Sequence, residues 1–182
     1  MRTRARRWLD RRRQERFRAL GLALAEKGYV VANVEYRLAG AAKYPAAVQD
    51  CSLAVRWVRA NAARFGLDPK RIGAWGGSAG GHLVGLLAAA PQHERFLTAE
   101  LKDVSAAVQA TCIMAGPTDL TNATFVESLR KAKEKSNSYT WFGKLYDDAP
   151  LLPGLQISID EGDARLLVFR SPFSTKAATG AR

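Results

Sequence analysis

The stretch Arg71-Ile72-Gly73-Ala74-Trp75-Gly76-Gly77-Ser78-Ala79-Gly80-Gly81-His82-Leu83 decides how the rest of the chain is read. Arg71–Trp75 is a short β-prone run, and the small-residue segment Ala79–Ala90 predicts a helix. Between them Gly76-Gly77-Ser78-Ala79-Gly80 fits the pattern G-x-S-x-G in a strand-to-helix context. Such a turn holds its serine in a sparsely allowed backbone conformation with the hydroxyl pointing out of the strand end. Side chains at positions 76 and 80 are expected to collide with the crossing helix and strand. The backbone N–H of Ala79, at the helix N-terminus, is then aimed to donate to a developing oxyanion, and the helix dipole adds to that. The competing reading is a phosphate-binding turn. It fails, because no G-x-G-x-x-G aligns with Trp75 and Ser78 in place, and His82-Leu83 stands where a phosphate loop needs Lys-Ser/Thr.

Working upstream, residues 12–27 read as a helix with Gly28 at its left-handed C-terminal cap. Tyr29–Tyr36 is a β-rich run without strict alternation, which predicts a strand covered on both faces in a parallel sheet. Pro45 opens a second helix at its first position. Val48, Cys51, Leu53, Ala54, Val55, Val58 and Ala62 continue that helix to about Phe65, and Gly66 and Asp68-Pro69 make the turn. Strand 29–36, this helix and strand 71–75 together predict a right-handed parallel crossover. Downstream, Val104–Met114 contains a further strand and Asn122–Ser136 a helix rich in Lys and Glu. Leu155–Ile159 is a candidate fourth strand, and residues 170–182 read as a disordered tail. The fold class is therefore α/β, a mainly parallel sheet with flanking helices.

The chain has 182 residues and a formal charge of +11, which raises the question of nucleic acid. The distribution argues against it. Nine arginines fall within residues 1–18, opposed only by Asp10 and Glu15, so about +4 remains over the other 164 residues. The excess is a basic arm at one end, read as a solvated terminus that runs into the first helix. No apolar run approaches the roughly 18 residues of a membrane span, and no apolar segment follows the first charges as a secretory signal would. The default expectation is a cytoplasmic chain. Cys51 and Cys112 have no metal-ligand spacing and read as two buried free thiols. Two histidines in all exclude a His-rich metal site, and neither metal nor organic cofactor is expected.

Five segments carry a resemblance. They are Leu24-Ala25-Glu26-Lys27-Gly28-Tyr29-Val30-Val31, Glu35-Tyr36-Arg37-Leu38, Tyr44-Pro45-Ala46-Ala47-Val48-Gln49-Asp50-Cys51, Leu67-Asp68-Pro69-Lys70-Arg71-Ile72-Gly73 and Trp75 to Leu83. They closely resemble the esterase/lipase branch of the α/β-hydrolases, the branch related to hormone-sensitive lipase and to feruloyl and acetyl esterases. Pro117-Thr118-Asp119-Leu120 is similar to its post-strand loop, and the match covers about residues 12–122. The resemblance implies hydrolysis of small carboxylic esters through a Ser-Asp/Glu-His triad. Ser78 matches the nucleophile, Ala79 the residue whose N–H completes the oxyanion hole, and Gly76, Gly77 and Gly80 the glycines of the nucleophile elbow.

Measured against that family, the chain reads as an incomplete α/β-hydrolase fold, truncated at both ends. Its hydrolase domain is expected over residues 12–160, with candidate cap material at 122–146. The family's His-Gly-Gly-Gly-Trp loop supplies further oxyanion donors. If Trp8 matches its Trp, then Arg4, Ala5, Arg6 and Arg7 stand where the preceding residues belong. Losing one such donor costs roughly 10²–10³ in rate in a protease. The strand leading into that loop would precede Met1 and lie between strands 29–36 and 71–75, which predicts poor stability through unpaired backbone groups. No histidine lies beyond His93 to serve as the triad base. His82 matches a position that looks structural, and His93 lies some 20 Å from Ser78 at about 1.5 Å per helical residue. The triad acid maps near Asp160-Glu161-Gly162-Asp163, where Asp163 is the candidate, although a strict overlay puts Arg165 there. Asp119 reads as a turn or cap residue. Without a base a serine hydroxyl is a poor nucleophile at neutral pH. The expectation is an ester hydrolase by lineage, weak or inactive as this chain. The alternatives are a non-catalytic fragment or pseudoenzyme, and a binder of nucleic acid or anionic surfaces through the basic arm.

Overall fold

The structure is a computed structural model in which residues 18–118, 123–132 and 135 are described. It divides into two units, Met1–Glu35 with Phe169–Arg182, and Tyr36–Val168.

In the first unit, α1 (18–26) ends as its sequence requires. Gly28 takes φ 84°, a left-handed conformation that costs glycine little. Its N–H donates to the Ala25 carbonyl at 2.9 Å, and the Tyr29 N–H donates to the Leu24 carbonyl at 3.2 Å. These two bonds form a Schellman cap. The run after it departs from expectation. Tyr29–Tyr36 is not a strand, and Tyr29, Val30, Val31 and Val34 are exposed. A β-prone run becomes a strand only by joining a ladder, and this one joins none among the described residues. The strand on which the expected crossover from 29–36 to 71–75 depends is therefore absent among the described residues.

The parallel unit of the second body is instead β1 (Gly73–Gly77), α3 (Ala79–Ala89) and β2 (Ala110–Met114). The strands pair in parallel, with Gly73 opposite Ala110 and Gly77 opposite Met114. Gln109 starts the ladder. Its N–H donates to the Ile72 carbonyl at 2.8 Å, and its side-chain oxygen accepts from the Ile72 N–H at 2.9 Å. β1 lies two residues later than Arg71–Trp75 because the ladder runs on through Gly76 and Gly77, and the missing side chain of Gly76 allows α3 to approach. α3 is apolar all round and buries Gly81, His82, Leu83, Val84, Leu86 and Leu87. It packs on both strands, and a Cβ at Gly85 would lie only 3.5 Å from Ile113 Cδ1.

Helix α2 (Ala46–Ala60) precedes this unit. Pro45 is its N-cap residue rather than its first helical residue, a shift of one position. The helix stops short of Phe65, and a separate 3₁₀ turn spans Ala63–Phe65, closed by Gly66 at φ 64°. The apolar positions Leu53, Ala54, Val55 and Val58 are half-buried. The deepest positions are Val48, Ser52 and Arg56, every fourth residue. The Arg56 guanidinium is buried with no acceptor among the described residues, and an uncompensated buried charge opposes folding. Arg37 clamps the start of the helix. Its Nε and Nη2 donate to the Asp50 carboxylate at 2.7–3.0 Å, and its backbone N–H donates to the same group at 2.8 Å. Burial alone would raise the Asp50 pKa; the bonds and charge of Arg37 outweigh it and hold the carboxyl below its usual range.

The core joins Ala47 and Val48 of α2 to Leu83 and Leu86 of α3, with Ala90 and Phe96. Phe96 is its largest apolar member and is 1% exposed. It sits edge-on to Tyr44 at 6.4 Å and against the His93 ring at 4.9 Å. Both cysteines are free. Cys51 is half-buried beside this core, and burial pushes its thiol up to about 12. Cys112 is exposed, contrary to the expectation of two buried thiols. It alternates with Ile113, which faces α3, so its side chain leaves the other face of β2. Helix α4 (Ala123–Ala132) occupies part of the predicted 122–136 helix. The candidate strand at 155–159 and the tail at 170–182 lie outside the described residues.

Because Phe96 ties α2, α3 and the Glu94–Phe96 turn together, Phe96→Ala is expected to cost about 3–5 kcal/mol. Urea unfolding followed by far-UV circular dichroism reads this directly. A change below about 1 kcal/mol would remove Phe96 from the centre of the core.

Candidate active site

Ser78 occupies the single residue between the end of β1 and the start of α3, with φ 55° and ψ −120°. Positive φ is uncommon for a residue with a side chain and marks a conformation held by its surroundings. Two bonds hold it. The Ser78 N–H donates to the Met114 carbonyl at 2.8 Å, extending the β1–β2 contact one residue past the strand. The Ser78 carbonyl accepts from the His82 N–H at 3.1 Å, which is the first hydrogen bond of α3. The same residue therefore closes the sheet and opens the helix. By helix geometry the N–H groups of Ala79, Gly80 and Gly81 have no acceptor in the preceding turn, and they gather partial positive charge beside the serine.

The glycines have unequal duties. A Cβ on Gly76 would lie 2.3 Å from the Gly80 carbonyl oxygen, so β1 and α3 meet backbone to backbone there. A Cβ on Gly81 would lie 3.1 Å from Gly116 Cα, and one on Gly116 would lie 2.7 Å from Gly81 carbonyl carbon. Gly80 itself has open space around its missing side chain. The expected collision at position 80 is thus corrected: at Gly80 it is the carbonyl, not the absent side chain, that makes the tight contact. The tight second contact belongs to Gly81 with Gly116, a pair that the five-residue motif does not include.

The turn after β2 is pinned against α3. Ala115 adopts φ 49°, Gly116 lies on Gly81, and the Pro117 carbonyl is 2.7 Å from His82 Nδ1. A carbonyl only accepts, so His82 carries its proton on Nδ1 and donates it to Pro117. His82 is 6% exposed; burial lowers its pKa, and the Pro117 bond only partly opposes that. His93 caps the Glu94–Phe96 turn, its Nδ1 accepting from the Arg95 N–H at 3.2 Å. On the sheet, the Trp75 indole N–H donates to Met114 Sδ at 2.8 Å, and Met114 remains half exposed.

The structure thus brings Ser78, Ala79, Gly76, Gly77 and Gly80 together at one strand–helix junction. Asp163, Asp160, Asp119 and positions 4–8 lie outside the described residues. Among the described residues, no group of three or more His, Cys, Asp or Glu side chains is placed to hold a metal ion. No described helix is long and apolar enough to cross a membrane. The contribution of Gly116 was missed in the sequence. Its signal is the Ala-Gly-Pro turn directly after an apolar strand, which is legible only once that strand is known to neighbour β1.

Gly76→Ala is expected to abolish folding or lower stability by several kcal/mol, because its Cβ meets backbone rather than a movable side chain. Gly80→Ala is expected to be tolerated, with a gain of up to about 1 kcal/mol from helix propensity. Soluble yield and thermal melts of the two variants separate these outcomes, and equal behaviour would refute the assignment.

His82 also predicts a pH dependence. Its pKa in the folded chain is lower than the unfolded value of about 6.5, so the unfolded chain binds the proton first. The His82 contribution is intact above about pH 6.5 and is lost as pH falls below it. Unfolding at about pH 7.5 and about pH 5.5 should show this loss, and His82→Asn should shrink it. An unchanged pH slope in the variant would exclude His82 as its source.

Several known esterases are similar to this chain. Esterase LipQ of Mycobacterium tuberculosis is 37% identical over 100 residues, covering 55% of this chain and 24% of LipQ. An arylesterase of Saccharolobus solfataricus is 50% identical over 54 residues, 30% of this chain and 18% of that protein. Among solved structures, the bifunctional GH43-CE protein of Bacteroides eggerthii superposes with a TM-score of 0.70 at 27% identity, covering 82% of this chain and 22% of that one. The chain therefore spans about a fifth to a quarter of the length of these relatives. Its partial parallel sheet and flanking helices are those of an α/β-hydrolase, and its lineage is that of carboxylic-ester hydrolases. The family model BD-FAE matches residues 8–156, and the chain belongs to that family.

Proposed function

We propose that Ser78 is an acyl-accepting nucleophile for small carboxylic esters, and that this chain by itself turns them over slowly. The observation that carries this reading is the Ser78 backbone, at φ 55° between β1 and α3, with the first N–H groups of α3 beside it. An ester carbonyl attacked by the Ser78 hydroxyl develops negative charge on its oxygen. The Ala79 N–H and the α3 dipole stabilise that charge. Asp163 is the candidate triad acid. The relatives are named as esterases, one of them as an arylesterase, which makes small aryl esters the natural probes.

Slow turnover is expected from the state of the two imidazoles. His82 is buried, with its Nε2 shielded from solvent and its Nδ1–H donated to Pro117, and His93 caps a turn against Phe96. General acid–base assistance contributes roughly 10²–10⁴ in rate, and disabling a triad costs far more, on the order of 10⁶ in a bacterial protease. The reading therefore also accommodates a chain whose lineage is hydrolytic and whose own turnover is negligible.

The test is covalent labelling by an alkyl fluorophosphonate, whose fluoride leaves without protonation. The expected result is slow, stoichiometric modification mapped by peptide mass to Ser78, and its loss in Ser78→Ala. Labelling of equal extent in that variant, or none at Ser78 in the parent chain, would remove the nucleophile assignment.

A further inference from the structure

We infer that Ser52 and Arg56, on the buried face of α2, form a binding site for one small monovalent anion of chloride size. The inference is independent of the chemistry at Ser78. Val48, Ser52 and Arg56 are each 0% exposed and recur every fourth position of α2. Residues four apart share one helix face, so the stripe that begins in the core at Val48 continues to a hydroxyl and a guanidinium. A long helical side chain lies back over the preceding turn, which carries the Arg56 guanidinium toward Ser52. Arg56 Nε, Nη1 and Nη2 and Ser52 Oγ are all buried, and none has a hydrogen-bond partner among the described residues.

The chemistry of the pair selects the ligand. A guanidinium offers N–H donors and no acceptor, and the serine hydroxyl adds one more donor. An acceptor with negative charge answers such a cluster. A buried amine or carboxylate can escape the cost of burial by changing its protonation. Arg56 does not, because burial lowers its pKa from a value so far above neutrality that the charge stays. The carboxylates among the described residues do not answer it either. All are exposed except Asp50, which lies two positions before Ser52 on another face of α2 and is held by Arg37. The neighbouring cation sets the ligand's charge. Arg59, one turn beyond Arg56, donates to the Pro69, Ser105 and Ala107 carbonyls, so its hydrogen bonds are committed. One uncommitted guanidinium balances a single negative charge, and a divalent phosphate or sulfate would leave one over. Burial limits the ligand to a small ion, and the low dielectric of the core strengthens its attraction to the guanidinium.

The experiment follows thermal unfolding of the chain by circular dichroism while sodium chloride replaces sodium gluconate, whose anion is too bulky for a buried site, at fixed ionic strength. The expected result is a Tm that rises saturably, by at least about 4 °C once chloride exceeds its dissociation constant about 100-fold. The chloride NMR line should broaden in the presence of the folded chain. Arg56→Met keeps the bulk of the side chain and removes its charge. It should be at least as stable as the unaltered chain in gluconate and should lose the chloride response. Ser52→Ala should keep the fold and weaken the response severalfold. A Tm indifferent to chloride, or one that rises without saturating, overturns the site. So does a response that either variant leaves unchanged, which places the anion elsewhere. An Arg56→Met chain that fails to fold, or melts well below the unaltered chain in gluconate, overturns it too, because the guanidinium then has a partner within the protein.

Discussion

The described part of the second unit depends on one steric constraint: β1, α3 and the turn after β2 meet at backbone distance. A Cβ at Gly76 would fall 2.3 Å from the Gly80 carbonyl oxygen, and one at Gly116 would fall 2.7 Å from Gly81 carbonyl carbon. Backbone cannot rotate out of the way as a side chain can, so these contacts fix the angle at which the helix leaves the sheet. The chain must reverse between Gly77 and Ala79 within a single residue. That reversal forces Ser78 to φ 55°. The strain is carried by the ladder bond from Ser78 to Met114 and by the buried apolar side chains of α3, Leu83, Leu86 and Leu87 among them.

The chemical properties of the junction are consequences of this constraint. The serine hydroxyl is presented at a strand end, and the first N–H groups of α3 lie next to it. Both are set by backbone path, which is why an oxyanion site can persist where proton-transfer groups are engaged elsewhere. His82 illustrates the division. Its ring is spent on the Pro117 carbonyl, so it braces the turn after β2 against the helix. A neutral buried imidazole with a committed Nδ1–H is a good brace.

Several features were legible in the sequence because they are local. Gly28 and Gly66 cap their segments with positive φ, as residues without a Cβ do at little cost. The elbow was read from five contiguous residues, of which Gly76 is the one whose missing side chain the tight contact requires. Others failed because they depend on neighbours distant in sequence. Tyr29–Tyr36 has the composition of a buried strand, yet a strand exists only as one side of a ladder. The apolar positions of α2 gave its helical period but not its deepest stripe, which runs through Val48, Ser52 and Arg56. Cys112 reads as core from its apolar neighbours, but the pleat of β2 turns it away from α3.

The sequence by itself determined the family and the α/β class. It also determined the position of the candidate nucleophile, since a strained strand-to-helix turn leaves an unmistakable pattern of small residues. Tertiary structure alone decided which glycine carries which contact, because a missing side chain matters only where another segment fills its space. It decided that Gly81 and Gly116, thirty-five residues apart, share one close approach. It also decided the state of His82, for the proton on an imidazole is set by the acceptor it meets. That acceptor, the Pro117 carbonyl, is brought within 2.7 Å by the pairing of two strands.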